Sequence, residues 1–133
     1  MTIVGSRGWA GEGEAEPETV RSWDPARDVR GLGAVRLAET ARDLARAGEE
    51  VLAGRAAAEA LACLAGAGSA HAVRVRLLLG ETYLALGRPD AGCAHLEAAV
   101  HLCTELGDTR GAAEARFAFG CARLQPATGA LDA

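Results

Sequence analysis

From Leu79 to Asp108, apolar and small residues recur every three or four positions, in two blocks separated by Gly87, Arg88 and Pro89. Leu79, Tyr83 and Leu86 share one side of the first block, with Gly80 among them, a spacing that predicts an amphipathic helix. Gly80 lacks a side chain, so another helix can approach closely there. Gly87 predicts the end of this helix and Pro89 the first turn of the next, where a missing N–H does no harm. Asp90 adds negative charge near that start. The second block carries Gly92, Cys93, Leu96, Ala99, Val100 and Cys103 on its apolar side and stops at Gly107. Asp108 is then placed to cap a further helix.

The same periodicity extends both ways. Upstream, Val35, Leu37, Ala41 and Leu44 predict the inward side of a helix from about Gly33 to Ala47. Val51, Leu52, Ala57, Ala60, Leu61 and Leu64 do the same for a partner from about Glu49 to Leu64. The run Gly66-Ala67-Gly68 breaks the chain, and Ser69 is a candidate cap for a third helix over Ala70 to Leu86. The fourth is expected over Asp90 to Leu106 and the fifth over Thr109 to Leu124, with Pro126 and Gly129 ending the order. Residues 1–30 read as a flexible acidic arm. Gly5, Gly8, Gly11 and Gly13 break any helix, and glutamates alternate with little apolar surface. Within it, Asp24-Pro25 is a candidate start for a short helix. Trp9 and Trp23, the two tryptophans of the chain, are incidental tail residues or anchors that dock onto the body or a partner. The division is therefore arm 1–30, helical domain 31–125 and tail 126–133.

The blocks resemble one another. Gly120 follows Gly80 by 40 residues, and Gly48 precedes Gly87 by 39. The shorter step also sets Ala41 against Gly80, Leu44 against Tyr83 and Ala60 against Ala99. Leu79, Gly80, Tyr83, Gly87, Leu96, Ala99 and Val100 together resemble a tetratricopeptide repeat, with a period above the ~34 residues of the standard unit. The pattern departs from that family at Gly92, where Ala is usual, and at Arg76, where Trp or Leu is frequent. Glu105, Leu106, Gly107 and Asp108, followed by an Ala-rich helix, look like the longer-period variety found in bacterial, notably actinobacterial, regulatory proteins. The resemblance covers about Leu32 to Leu124. It implies an all-α fold of antiparallel helix pairs, a TPR-like α-solenoid of about five helices forming a short right-handed array. It also implies a concave groove lined by the first helix of each pair. Matching helix positions gives Arg42 and Arg46, then Arg74, Leu77, Leu78 and Glu81, then Glu114, Phe117 and Cys121 as groove residues. Five helices leave one without a pair. The fifth is thus expected to expose a terminal interaction face at Phe117 and Phe119, whose separation by two sends them to different sides. That face would serve self-association or a partner, or be covered by the arm or tail.

Composition narrows the function classes. Half of the residues are apolar but only 4% are aromatic, so the core must be built from Ala and Leu in closely packed helices. The net charge is −4 and the pI about 5.4. An acidic chain does not offer the positive surface that displaces counterions from nucleic acid. All 14 basic residues are Arg, a bias expected of a GC-rich bacterial genome. The first residues lack the apolar stretch of a signal peptide. The uncharged run Ala60 to Val73 is too short to cross a bilayer. The expected location is therefore the cytoplasm, with no membrane association. Cys63, Cys93, Cys103 and Cys121 are then reduced, and their spacing forms no zinc or redox motif. They read first as small buried hydrophobes.

Candidate chemistry is sparse. The groove arginines would grip a carboxylate or phosphate by paired hydrogen bonds, or form an ordinary charged face. Cys93, Glu97 and His101 step by four along the fourth helix, but consecutive turns diverge along the axis, so no metal is implied. Nothing fixes the geometry needed to activate Cys93 or Cys103 through His71, His95 or His101. No cofactor motif occurs. The expectation is a non-catalytic scaffold that binds a protein or peptide, with a regulatory or assembly role, and a homo-oligomer is one form of it. The alternative is a small helical enzyme or small-molecule binder using the groove as its pocket, with Arg74, Glu81, Tyr83 and the cysteines as its polar groups.

Overall fold

The structure is a computed structural model that describes residues 24–125. Trp9 and the rest of the arm through Trp23, and the tail from 126, lie outside the described residues. Within them the chain is all-helical: α1 Pro25–Arg46, α2 Glu50–Cys63, a single 3₁₀ turn Leu64–Gly66, α3 Ser69–Ala85, α4 Pro89–Leu106 and α5 Thr109–Arg123. None of these helices is long and apolar enough to cross a membrane.

Three of the four connections share one construction. Gly48, Gly87 and Gly107 all take positive φ (85°, 76° and 75°), the left-handed conformation that costs glycine nothing. Each lets the following residue donate its N–H back into the helix just ended: Glu49 to Leu44, Arg88 to Tyr83 and Asp108 to Cys103, at 2.8–2.9 Å. This is the Schellman closure, which satisfies carbonyls left open at a helix end. A new helix begins within two residues each time, so consecutive helices turn back on one another.

Helix starts are fixed by side chains in two places. Asp24 accepts a hydrogen bond from the N–H of Ala26 at 3.0 Å, and Pro25 occupies the first helical position. Asp108 accepts from Gly111 at 2.8 Å. Ser69 does not act as a cap: Gly68 holds that position and Ser69 is the first helical residue.

The first helix corrects the sequence reading most. It begins at Pro25, not near Gly33, so the boundary drawn at residue 31 falls inside it. Gly31 and Gly33 do not break it. Gly31 is a contact site, where a Cβ would run into the imidazole of His71.

The core is an alanine seam. Ala34, Ala38, Ala41 and Ala45 of α1 meet Ala53, Ala56, Ala57 and Ala60 of α2, every one buried. Methyl groups on both sides bring the helix axes close. Val75, Leu78 and Leu79 of α3 complete this cluster, with Leu37, Leu44, Leu61 and Tyr83 around it. Buried Thr82 is satisfied by donating to the carbonyl of Leu78 at 2.8 Å. Val51 and Leu52 were expected inside, but they are 70% and 48% exposed. Buried residues of α2 begin at Ala53, so both lie off its inward side.

α1 packs against both α2 and α3, α3 against α4, and α4 against α5. The spatial order is therefore α2–α1–α3–α4–α5. α5 makes no contact with α3 comparable to that of α3 with α1, so the step from the second pair to α5 differs from the step between the pairs. α3 and α4 cross at two glycines. A Cβ at Gly80 would lie 2.7 Å from Leu96 Cδ2, and one at Gly92 3.1 Å from the Gly80 carbonyl oxygen.

Candidate functional site

Three of the expected groove residues converge. Arg46 Nη2 lies 3.3 Å and Arg42 Nη1 3.9 Å from the same Glu81 oxygen, and Arg42 Nε lies 3.3 Å from Asp43. Across the α1–α3 seam two guanidinium groups thus face the Glu81 carboxylate, while Asp43 flanks Arg42 on α1 itself. The cluster is already neutral, and an anionic ligand would have to displace Glu81. Such exposed pairs are screened and contribute little to stability.

The other groove residues disperse. Arg74 is exposed on α3 and Leu77 is half-buried beside it. Leu78 is fully buried in the α1–α2–α3 core and cannot line a groove; its position faces α1, one helical step away from the open side. Glu114 lies 3.7 Å from Arg110, one turn back on α5. Phe117 is on that same helix, whose main packing partner is α4. Cys121 is exposed on this helix too, and with Leu78 enclosed in the core no single open groove is lined by all nine residues.

A network missed in the sequence reading joins α3 to α4. Tyr83 and His95 stack with ring centroids 5.3 Å apart and 10° between planes. Arg76 Nη1 lies 2.9 Å from His95 Nδ1. A guanidinium only donates, so Nδ1 must accept and the neutral ring carries its proton on Nε2. Burial, and then the Arg76 charge, push the His95 pKa below its usual value. The spacing of Arg76 and Tyr83, seven residues apart and hence on one side of α3, was the available signal. His71 is likewise engaged, its Nε2 lying 2.9 Å from Asp28 Oδ1.

Among the described residues His71 engages Asp28 and His95 engages Arg76, and neither hydrogen-bonds a cysteine. Cys103 is buried, and burial, followed by the nearby charges of Asp108 and Glu114, raises its pKa. That shift works against a thiolate nucleophile. Among the described residues no three His, Cys, Asp or Glu side chains gather into a metal-binding group. Cys93 and Glu97 instead line an open recess of about 410 Å³ between α4 and α5, with Asp90, Phe119 and Arg123.

The terminal face is the most distinctive surface. Phe117 is 75% and Leu124 85% exposed. Ala113 and Gly120 are exposed too, and 113, 117, 120 and 124 follow the three-and-four spacing of one helix side. Phe119 does not belong to this stripe. It is half-buried against the recess, with the Arg123 guanidinium 5.7 Å from its ring centre. α5 reaches α4 through Ala112, Ala115 and Ala122.

No family model matches this chain, and no curated protein or solved structure proves similar to it. The class defined by fold and site is an all-helical protein, over its described residues, with an open apolar helix side.

Proposed function

We infer that the chain is a non-catalytic protein–protein interaction scaffold, with a regulatory or assembly role in a bacterial cytoplasm. The observation that carries this reading is the bare stripe of α5. A helix whose fully buried residues are alanines, and which presents Phe117 and its C-capping Leu124 to solvent, leaves a large apolar stripe uncovered for a monomer. Large apolar side chains in exposed stripes mark docking surfaces, and Phe is among the residues enriched at interfaces. The TPR-like pattern of helix pairs supports the same reading, because stacked pairs leave an end helix uncovered.

The test places a photo-crosslinking benzoyl-phenylalanine at position 117, and at exposed Arg55 on α2 as a control. In host cells, position 117 is expected to yield discrete protein adducts and position 55 none. Equal labelling at both positions, or adducts at neither, rejects the scaffold reading.

A further inference from the structure

We propose that the open side of α5 is a seat for one amphipathic helix of a partner protein. That helix carries a small residue, an acidic residue three positions later and a leucine immediately after it. This rests on the scaffold reading above and names the chemistry of the partner.

The molecule contains its own template. The 40-residue step that relates Gly120 to Gly80 also relates Leu124 to Leu84. On α3 these two positions receive α4. A Cβ at Gly80 would lie 2.7 Å from Leu96 Cδ2, and one at Gly92 2.9 Å from Leu84 Cγ. Glycine on α3 thus admits the leucine of α4, and glycine on α4 admits the leucine of α3. On α5 the same seat is empty among the described residues. Nothing lies within 4 Å of a Cβ built at Gly120, and Leu124 is exposed. The seat calls for the counterpart of Gly92 and Leu96, a small residue and a leucine four apart.

Charge specifies the third feature. The 40-residue step carries Arg76 to Arg116 and Tyr83 to Arg123. On α3, Arg76 bonds His95 and Tyr83 stacks on it. The partner position equivalent to His95 would therefore meet the exposed Arg116, with exposed Arg123 at the margin of the seat, where its guanidinium also lies over Phe119 beside the α4–α5 recess. A carboxylate there is favoured and a cation opposed.

The probe is a fluorescein-labelled synthetic peptide with the sequence of α4, residues 89–106, and a second peptide with His95→Glu. Each is titrated with the full chain under reducing conditions and followed by anisotropy. Both are expected to bind saturably, the His95→Glu peptide more tightly by a few-fold. Gly120→Leu fills the seat and is expected to weaken both by about tenfold or more. Arg116→Glu is expected to remove the preference for the His95→Glu peptide. Gly120→Leu projects into open space, so the variant keeps its fold, which circular dichroism checks. Failure of both peptides to bind, or binding indifferent to Gly120→Leu, overturns the proposal. A dimer in native mass spectrometry that Phe117→Glu dissociates makes the occupant a second copy, which also overturns it. So does a position-117 crosslink to residues 1–23 of the same chain. If the peptides fail while position 117 still captures another protein, this proposal falls and the scaffold reading stands.

Discussion

Gly80 and Gly120 stand 40 residues apart, and their surroundings give the same substitution opposite signs. At Gly120 nothing lies within 4 Å of a new Cβ. Alanine there gains helix propensity without a clash, and Gly120→Ala is expected to stabilise the fold by about 1 kcal/mol. At Gly80 the same methyl meets Leu96, itself only 2% exposed, with the Gly92 carbonyl oxygen 3.4 Å away. Overpacking of ~1–3 kcal/mol then exceeds the propensity gain, so Gly80→Ala is expected to be destabilising on balance. Urea midpoints of the two variants check this, and shifts of the same sign would contradict the packing described. His95 supplies a pH effect. Its folded pKa is depressed by burial and by Arg76, so the unfolded chain takes up a proton first as pH falls. Stability from this group is full above the usual imidazole value of about 6.5 and declines as pH drops from there toward the folded value. The loss in urea midpoint between pH ~7.5 and ~5 is expected to be smaller in His95→Gln than in the parent chain. An identical loss would show that His95 is protonated equally in both states.

At the scale of elements, local punctuation was legible and long-range contact was not. Gly87 with Pro89, and Gly107 with Asp108, placed the ends of α3, α4 and α5 within two residues, because a left-handed closure and a new helix start both depend on the residues at the turn. The start of α1 was misplaced because its apolar spacing begins only near Val35, whereas its first turns are held by contacts far along the chain, with Gly31 seating a histidine 40 residues away. Val51 and Leu52 were misassigned for a related reason, since apolar spacing alone does not reveal that α2 is an edge helix. In the candidate site, Phe117 and Phe119 were both expected on the terminal face and on different sides of α5, and only Phe117 is exposed, while Leu78 was rotated into the groove by one helical step. The Tyr83–His95–Arg76 network was only half legible: spacing puts Arg76 and Tyr83 on one side of α3, but placing His95 opposite them needs the α3–α4 crossing. The extension of α1 makes a prediction of its own. Its first two turns carry exposed Val29 and Leu32 and are tied down by His71 to Asp28 and by Arg30 Nε to the Gly66 carbonyl at 3.2 Å. His71→Ala removes the hydrogen bond to Asp28 and empties the space over Gly31. Amide exchange over residues 25–33 is expected to rise while global stability falls by no more than about 2 kcal/mol, because a half-exposed pair contributes little. Uniform acceleration across all helices would mean instead that this clamp holds the whole fold.

The molecule as a whole is a row of helices in the order α2–α1–α3–α4–α5, and position in the row should set local stability. α1, α3 and α4 have neighbours on both sides, but the completely buried Val75, Leu78 and Leu79 lie where α3 meets α1 and α2. α2 is an edge helix, but it shares the alanine seam with α1 and is rich in good helix formers. α5 is an edge helix with neither advantage. It touches α4 through three alanines, contains Gly111 and Gly120, and leaves its larger stripe side chains in solvent. Opening α5 exposes little that was buried, so its local unfolding requires less free energy than global unfolding. Hydrogen exchange is expected to be fastest over Thr109–Arg123, intermediate in α2 and α4, and slowest in α1 beyond residue 33 and in α3. Leu79→Ala, at the centre of the row, is expected to lose ~2–5 kcal/mol and accelerate every helix. Phe117→Ala, at its edge, is expected to leave exchange outside α5 unchanged. An α5 as protected as α3 would mean that its open side is already covered in the free protein, and the seat argued for it would then be occupied before any partner arrives.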